Sequence, residues 1–281
     1  MTTAAPTFDE IPDPAVRRRQ VAAVLRLELV RTLLGKRSFI VYFLALMPVG
    51  FLALLAFVIL RGLGRGGGNP EILFAGIFQI FILRFVIFFG CAWTFTNLFR
   101  GEILDRSLHY YYLCPIRREL LVACKYAAGL LASLLVFVGC TVVSYVLLWL
   151  PHKADGMDHL LVDPGLSRLF QYAAIAALAC VGYGAVFLLT GSFFRNPMIP
   201  AAVLWGWEWI NSLLPPVLKK LSVIHYLISL CPVKVSEGSF AFIAEPTPWW
   251  ISVPGLMVLT AGVLWAASRR ARRSEILYGS D

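Results

Sequence analysis

Two charged residues stand inside long apolar runs. Arg84 interrupts Ile-Leu-Arg-Phe-Val-Ile, and Glu208 interrupts Leu-Trp-Gly-Trp-Glu-Trp-Ile. A lone arginine at the centre of a membrane helix costs at least about 2.5–3.5 kcal/mol, so such residues face the bundle interior and find partners. Both lie near the middle of their runs, which predicts a buried pair at one depth. That pair either locks the bundle or lies on a substrate, ion or gating path. If the two pair, exchanging their charges restores part of what Arg84→Ala loses. Nearby, Trp205, Trp207 and Trp209 precede Asn211. They can line a route for a lipid-like substrate, or they are apolar packing.

Other candidate chemistry is sparse. His152, Asp155, Asp158 and His159 fall in one loop. Imidazole and carboxylate can ligate zinc or another divalent ion, but a solvated acidic loop accounts for the same residues, and no metal site is assigned. There is no His-Glu-x-x-His motif and no Gly-x-Ser-x-Gly elbow. A phosphate-cradling Gly-x-x-x-x-Gly-Lys-Ser/Thr loop is also missing. The nearest stretch, Gly62 to Gly68, lacks the Lys-Ser/Thr end and reads as a flexible turn. The sequence therefore predicts no catalytic or cofactor-binding residue, and a chain that is not itself an enzyme.

What must position these residues follows from composition. The chain has 281 residues, 59% hydrophobic and only 15% charged, against about 25% charged in a soluble domain. Mean hydropathy is +0.76. This excludes disorder, a collagen-like repeat, a disulfide scaffold and a nucleic-acid-binding domain, and predicts an all-α polytopic membrane protein. The net charge of +9 sits at the flanks of apolar runs, as in membrane anchoring. The six cysteines, Cys91, Cys114, Cys124, Cys140, Cys180 and Cys231, form no close pair and read as small buried hydrophobes.

A bilayer crossing needs about 20 apolar residues. Runs from Phe39 to Leu60, Ile72 to Thr96, Leu120 to Leu150, Leu169 to Phe194, Met198 to Leu214 and Trp249 to Ser268 give six spans. With the N-terminus inside, seventeen Lys and Arg residues fall on inner segments and seven on outer loops, which predicts both termini cytoplasmic. The polar opening, residues 1–13, is a tail and not a cleavable signal, because the first apolar run begins late and exceeds a signal core. Trp249 and Trp250 suit an interfacial aromatic belt. Ala128, Gly129, Ala132 and Ser133 in the third span, and Ala173, Ala176, Ala177, Gly182 and Gly184 in the fourth, predict close helix contacts.

Three shorter segments complete the layout. Residues 13–37 open with Asp13-Pro14, a cap and first-turn proline, and carry Val21, Val24, Leu25 and Leu29 at helical spacing. They predict an interfacial amphipathic helix, closing a first region over 1–37. The six-span domain covers 38–268, and a basic tail covers 269–281. Residues 215–248 contain an apolar stretch, Leu221 to Cys231, too short to span, which fits an outer re-entrant hairpin before the last span. Residues 97–119 hold Phe99, Ile103, Leu104 and Leu108 at helical spacing, ended by Pro115. That helix caps the bundle or presents a face to a soluble partner.

The run Glu102-Ile-Leu-Asp-Arg106-Ser107-Leu108-His109-Tyr-Tyr-Tyr-Leu-Cys-Pro115-Ile116-Arg117-Arg118, with Lys125 following, resembles the cytoplasmic loop of ATP-binding-cassette (ABC) type-2 transporter permeases. The proline, isoleucine, second arginine and lysine fall in place. Departures are Arg106 for glycine, Ser107 for threonine, His109 for glutamate and tyrosines for leucines. Pro215 through Leu230-Cys231-Pro232 is similar to that family's proline-bounded hairpin, with cysteine where asparagine is common.

The resemblance implies a permease subunit, mostly of exporters, working as a homodimer or with a related permease, and the positive-inside pattern fits a bacterial inner membrane. A separate cytoplasmic ABC ATPase would bind the ATP. Residues 97–119 would form the coupling helix, with Glu102, Asp105, Arg106, Leu108, Pro115 and Arg118 as the ATPase-coupling residues. Membrane lipid is the other expected partner, and no nucleic acid is. The alternative is an ion-coupled secondary transporter or channel using Arg84 and Glu208, although the halves show no inverted repeat.

Overall fold

A computed structural model describes residues 14–61, 69–104, 118–152, 164–194, 198–210, 215–233 and 248–273. All regular structure among them is helical. Helix α1 is Pro14–Leu34. A tight turn at Gly35, whose N–H donates to Arg31 O, leads into α2, Ser38–Leu60. A β-carbon at Gly35 would fall 2.3 Å from Arg31 O, so this elbow needs glycine. Asn69 caps α3 by accepting from Glu71 N, and Pro70 takes the first helical position.

Helix α3 runs over 70–104 as Pro70–Gly76, a wide π-helical stretch Ile77–Ile87, and Phe88–Leu104. Helix α4 runs over 118–149, with a second π-helical stretch at Leu134–Val138. Helix α5 is Gly165–Phe193, α6 is Met198–Ile210, α7 is Pro216–Lys219, α8 is Val223–Ser229 and α9 is Trp249–Arg273.

Five of these helices, α2, α3, α4, α5 and α9, are long and apolar enough to cross a membrane. Their limits agree closely with the corresponding five sequence runs. The fifth expected span is described only in part. Helix α6 has 13 residues, about 20 Å at 1.5 Å per residue, short of the roughly 30 Å hydrocarbon thickness. Residues 211–214 of that run lie outside the described residues. The expected coupling helix also begins differently, because 97–104 continues α3 without a break.

The Ala/Gly-rich helix α5 is the axis of the bundle, packed against α3, α4, α8 and α9. Its small residues let neighbours approach closely. The Phe95 ring of α3 is wedged between Gly184 of α5 and Gly129 of α4. Where α3 and α5 cross, a β-carbon at Gly191 would lie 2.9 Å from the Thr96 backbone Cα. Five cysteines, Cys91, Cys124, Cys140, Cys180 and Cys231, are buried and free, as small hydrophobes would be. The outer faces of α2 and α9 expose Phe43, Leu54, Phe57, Met257 and Val258.

The backbone contact at Gly191 makes a direct test. Gly191→Ala pushes a methyl against main chain that cannot rotate away, and is expected to destabilise by about 1–3 kcal/mol. Gly139→Ala, where a β-carbon meets nothing within 4 Å, is expected to be neutral or slightly stabilising. Thermal unfolding of the two variants in detergent distinguishes them, and equal effects would contradict the close crossing.

Candidate functional site

Two clusters of buried polar groups organise the apolar bundle, and both involve α3. The first lies at the end of the bundle that carries α1. The stripe Val21, Val24, Leu25 and Leu29 forms the half-buried side of α1, and this side packs on α4. The expected amphipathic helix is therefore docked on the bundle through its predicted apolar stripe. At the centre of the stripe is Glu28, 1% exposed, opposite Lys125 of α4, 0% exposed. Lys125 Nζ donates to Glu28 Oε1 at 2.7 Å and to Leu98 O of α3 at 3.1 Å. One ammonium group thus joins α1, α3 and α4. Removing either partner of such a pair leaves a bare buried charge.

The second cluster is midway along the bundle. Arg84 is 8% exposed and Glu208 7%. Glu208 Oε2 accepts from Ser222 Oγ at 2.6 Å and from Ile224 N at 3.2 Å. It thereby supplies the start of α8 with an acceptor from a distant helix, the role an N-cap side chain usually fills locally. The Arg84 guanidinium lies over the Trp209 ring, 5.2 Å from its centroid, a contact worth about 2 kcal/mol when desolvated. Its positive charge attracts the Glu208 carboxylate next along α6. Trp205 Nε1 donates to Arg84 O at 3.2 Å. This carbonyl sits in the π-helical stretch of α3, whose wider winding departs from the regular i to i−4 ladder and admits an outside donor. Trp205 also tilts against Phe89.

Helix α8 packs against α5 and α9. Val223, Ile224 and Leu227 are buried. Val223 faces Gly182 of α5, and Tyr226 faces Gly255 of α9. Ser229 Oγ is 2.7 Å from Ser252 Oγ. Beyond α8 the chain returns to α3, where Gln79 Nε2 donates to Val233 O at 2.7 Å.

The expected coupling residues are only partly described. Glu102 stands in the last turn of α3 and Arg118 opens α4. Asp105, Arg106, Leu108 and Pro115 lie outside the described residues, as do Asp155, Asp158 and His159 of the candidate metal loop. No family model matches the chain, and a search of curated proteins finds no match.

Three site residues were not singled out from the sequence. Glu28 is the sole acidic residue of an arginine-rich helix and sits on its apolar stripe, a signal that was present. Gln79 is the one amide side chain in the second run. Ser222 immediately precedes Val223, where α8 begins, a capping position.

Two outcomes follow. Glu28→Gln and Lys125→Met each should cost about 3–5 kcal/mol, while Glu28→Leu combined with Lys125→Met should cost less than either alone. Additive losses in thermal unfolding would contradict the pairing. At the second cluster, the charge exchange Arg84→Glu with Glu208→Arg should not restore stability, because arginine has no acceptor for Ser222 and Ile224. Glu208→Gln, which keeps a carbonyl acceptor, should lose less. Rescue by the exchange would show that charge alone, not acceptance, is the role of Glu208.

Proposed function

We propose that the chain is the permease subunit of an ABC transporter, moving its substrate across a membrane, in the export direction, under the power of a separate ATPase docked on residues 97–119. The observation that carries this reading is the motif sequence from Glu102 to Arg118, which connects the end of α3 to the start of α4. The described flanks of that loop are joined by Lys125 to each other and to α1. A docking loop needs such a base, because a push on a loosely anchored loop is absorbed locally.

On this reading both termini are cytoplasmic, the membrane is a bacterial inner membrane, and the α1 end faces the ATPase. The short helix α6 and the pair α7–α8 enter from opposite sides and meet near mid-depth at Glu208. The α7–α8 segment then acts as the re-entrant hairpin on the outer side, with α6 completing a sixth partial span. Helix α3 is continuous from residue 104 to Arg84, about 30 Å at 1.5 Å per residue. Closure of the ATPases would move the loop, and α3 would carry the displacement to Arg84, Trp209, Glu208 and α8. The exposed apolar faces of α2 and α9 are available to lipid and to a second permease subunit.

A second reading, an ion-coupled transporter or channel, is favoured by one observation, the burial of Arg84 and Glu208 beside each other at mid-bundle. The two readings separate in one experiment. The chain is purified from its native cells in mild detergent, co-purifying proteins are identified by mass spectrometry, and vanadate-sensitive ATP hydrolysis is assayed. An associated ATPase, lost when 102–118 is scrambled while the thermal stability of the chain is kept, is the expected result. A well-folded sample with no ATPase would sink the transporter-subunit reading and favour ion coupling.

A further inference from the structure

At the end of the bundle opposite α1, helices α2 and α3 part. Helix α2 packs on α3 along the π-helical stretch and beyond it, whereas the first turns of α3, Pro70–Gly76, pack on the 139–149 part of α4. A groove remains between α2 and those first turns. It measures about 560 Å³. Phe51 of α2 forms one side, and Ile72, Leu73, Gly76, Ile77, Ile80 and Phe81 of α3 form the other, every one of them apolar.

The groove has the depth of one leaflet. Its mouth, at Ile72, lies next to the polar end of the helix pair, marked by Arg61, Asn69 and Glu71. From Ile72 to Phe81 it descends roughly 13 Å at 1.5 Å per residue, against about 15 Å for half of a 30 Å hydrocarbon core. Spread over that length, the volume is roughly 7 Å across. A helix with its side chains is about 10–12 Å wide, so no helix of a second copy or of another protein seats there. A soluble ligand would find no donor or acceptor to orient it. A hydrocarbon chain fits both the width and the chemistry.

The wall is concave and fixed. A β-carbon added at Gly76 would meet nothing within 4 Å, so at that turn the groove reaches to the backbone. On the opposite side of the same turns, Phe74 is buried and packs edge-on against Tyr145 and Tyr172, with ring centroids 4.9 Å apart in each pair. Association in lipid rests on shape and dispersion contact. A groove walled by two helices offers that contact on several sides of a chain, where the convex faces of α2 and α9 offer it on one.

We propose that this groove is a binding site for one acyl chain of a bilayer phospholipid, seated over Gly76 between Phe51 and the Ile72–Phe81 wall. The proposal goes beyond the transporter reading and needs only that the five apolar helices sit in a bilayer. The bound chain covers Ile77 and Ile80 at the start of the π-helical stretch and fills the gap between α2 and α3.

The test uses the full chain in nanodiscs of phosphatidylcholine containing a minor fraction of an analogue with a diazirine in its acyl chain. The protein is moved into mild detergent to strip loosely held lipid, then photolysed, and the cross-linked peptides are mapped by mass spectrometry. Cross-links are expected on 72–81 and around Phe51, in about tenfold excess over the exposed face of α9 at Met257 and Val258. Gly76→Leu projects into the groove without meeting protein atoms and should remove that excess. Ile80→Trp, at an exposed position of the same wall, should do the same and serves if the first variant fails to fold. Gly262→Leu on α9, where a β-carbon also meets nothing within 4 Å, should leave the excess unchanged. Equal labelling of the groove and α9 in the wild type would overturn the proposal by reducing the groove to ordinary bilayer contact. Excess labelling that survives Gly76→Leu and Ile80→Trp, or that Gly262→Leu removes equally, would overturn it as well. So would a wild-type groove left unlabelled and cross-linked to a second copy, which would assign the surface to protein.

Discussion

An ammonium group with no access to water must be neutralised from inside the fold, and at Lys125 this requirement decides how three helices meet. Lys125 is fully buried, and its partners come from α1 and α3. The desolvation of the two ions is offset by their mutual attraction and by the Leu98 carbonyl. Helix α1 therefore cannot slide along α4 by one turn, nor can the end of α3 drift from the start of α4, without exposing a bare charge. The junction gives register to elements whose apolar packing alone would tolerate small shifts, since leucine and valine side chains specify position weakly.

The same rule operates at mid-bundle with different chemistry. Glu208 meets the polar start of a short helix, so one carboxylate satisfies a hydroxyl and a backbone N–H that have no local acceptor. Arg84 finds an aromatic face and an opposite charge. Glu208 acts here as a hydrogen-bond acceptor as well as a charge, a role that an exchanged arginine would not fill. The seven-residue helix α8 would be too short to persist alone. It is stabilised by burial between α5 and α9 and by its borrowed cap.

The long apolar helices were legible because hydropathy and length are local properties, and their limits fall within a few residues of the expected ones. The half-buried face of α1 was legible from spacing. The small residues of the third and fourth spans announced close contacts that the structure places around Phe95. Helix α6 is described over only the first 13 residues of its apolar run, so the end of the fifth expected span is not placed. Two features were hidden for identifiable reasons. Glu28 and Lys125 are 97 residues apart, and pairing across that distance has no local signature. The cap of α8 by Glu208 is a tertiary substitute for a motif that sequence reading expects within three residues.

Both polar clusters bear on α3, one through the Leu98 carbonyl and the other through Arg84. The helix between them contains the glycine at which Phe137 inserts, Gly90, and the phenylalanine wedged into its neighbours, Phe95. Bending is consequently confined. Packing around Phe95 and Phe137 resists it in the lower half, while the π-helical stretch Ile77–Ile87 offers the weaker ladder in the upper half. The carbonyl that Trp205 bonds, the guanidinium over Trp209 and the amide that holds Val233 all lie in that stretch. The π-helical part of α3 is thus also the part that bonds to α6 and to the chain beyond α8.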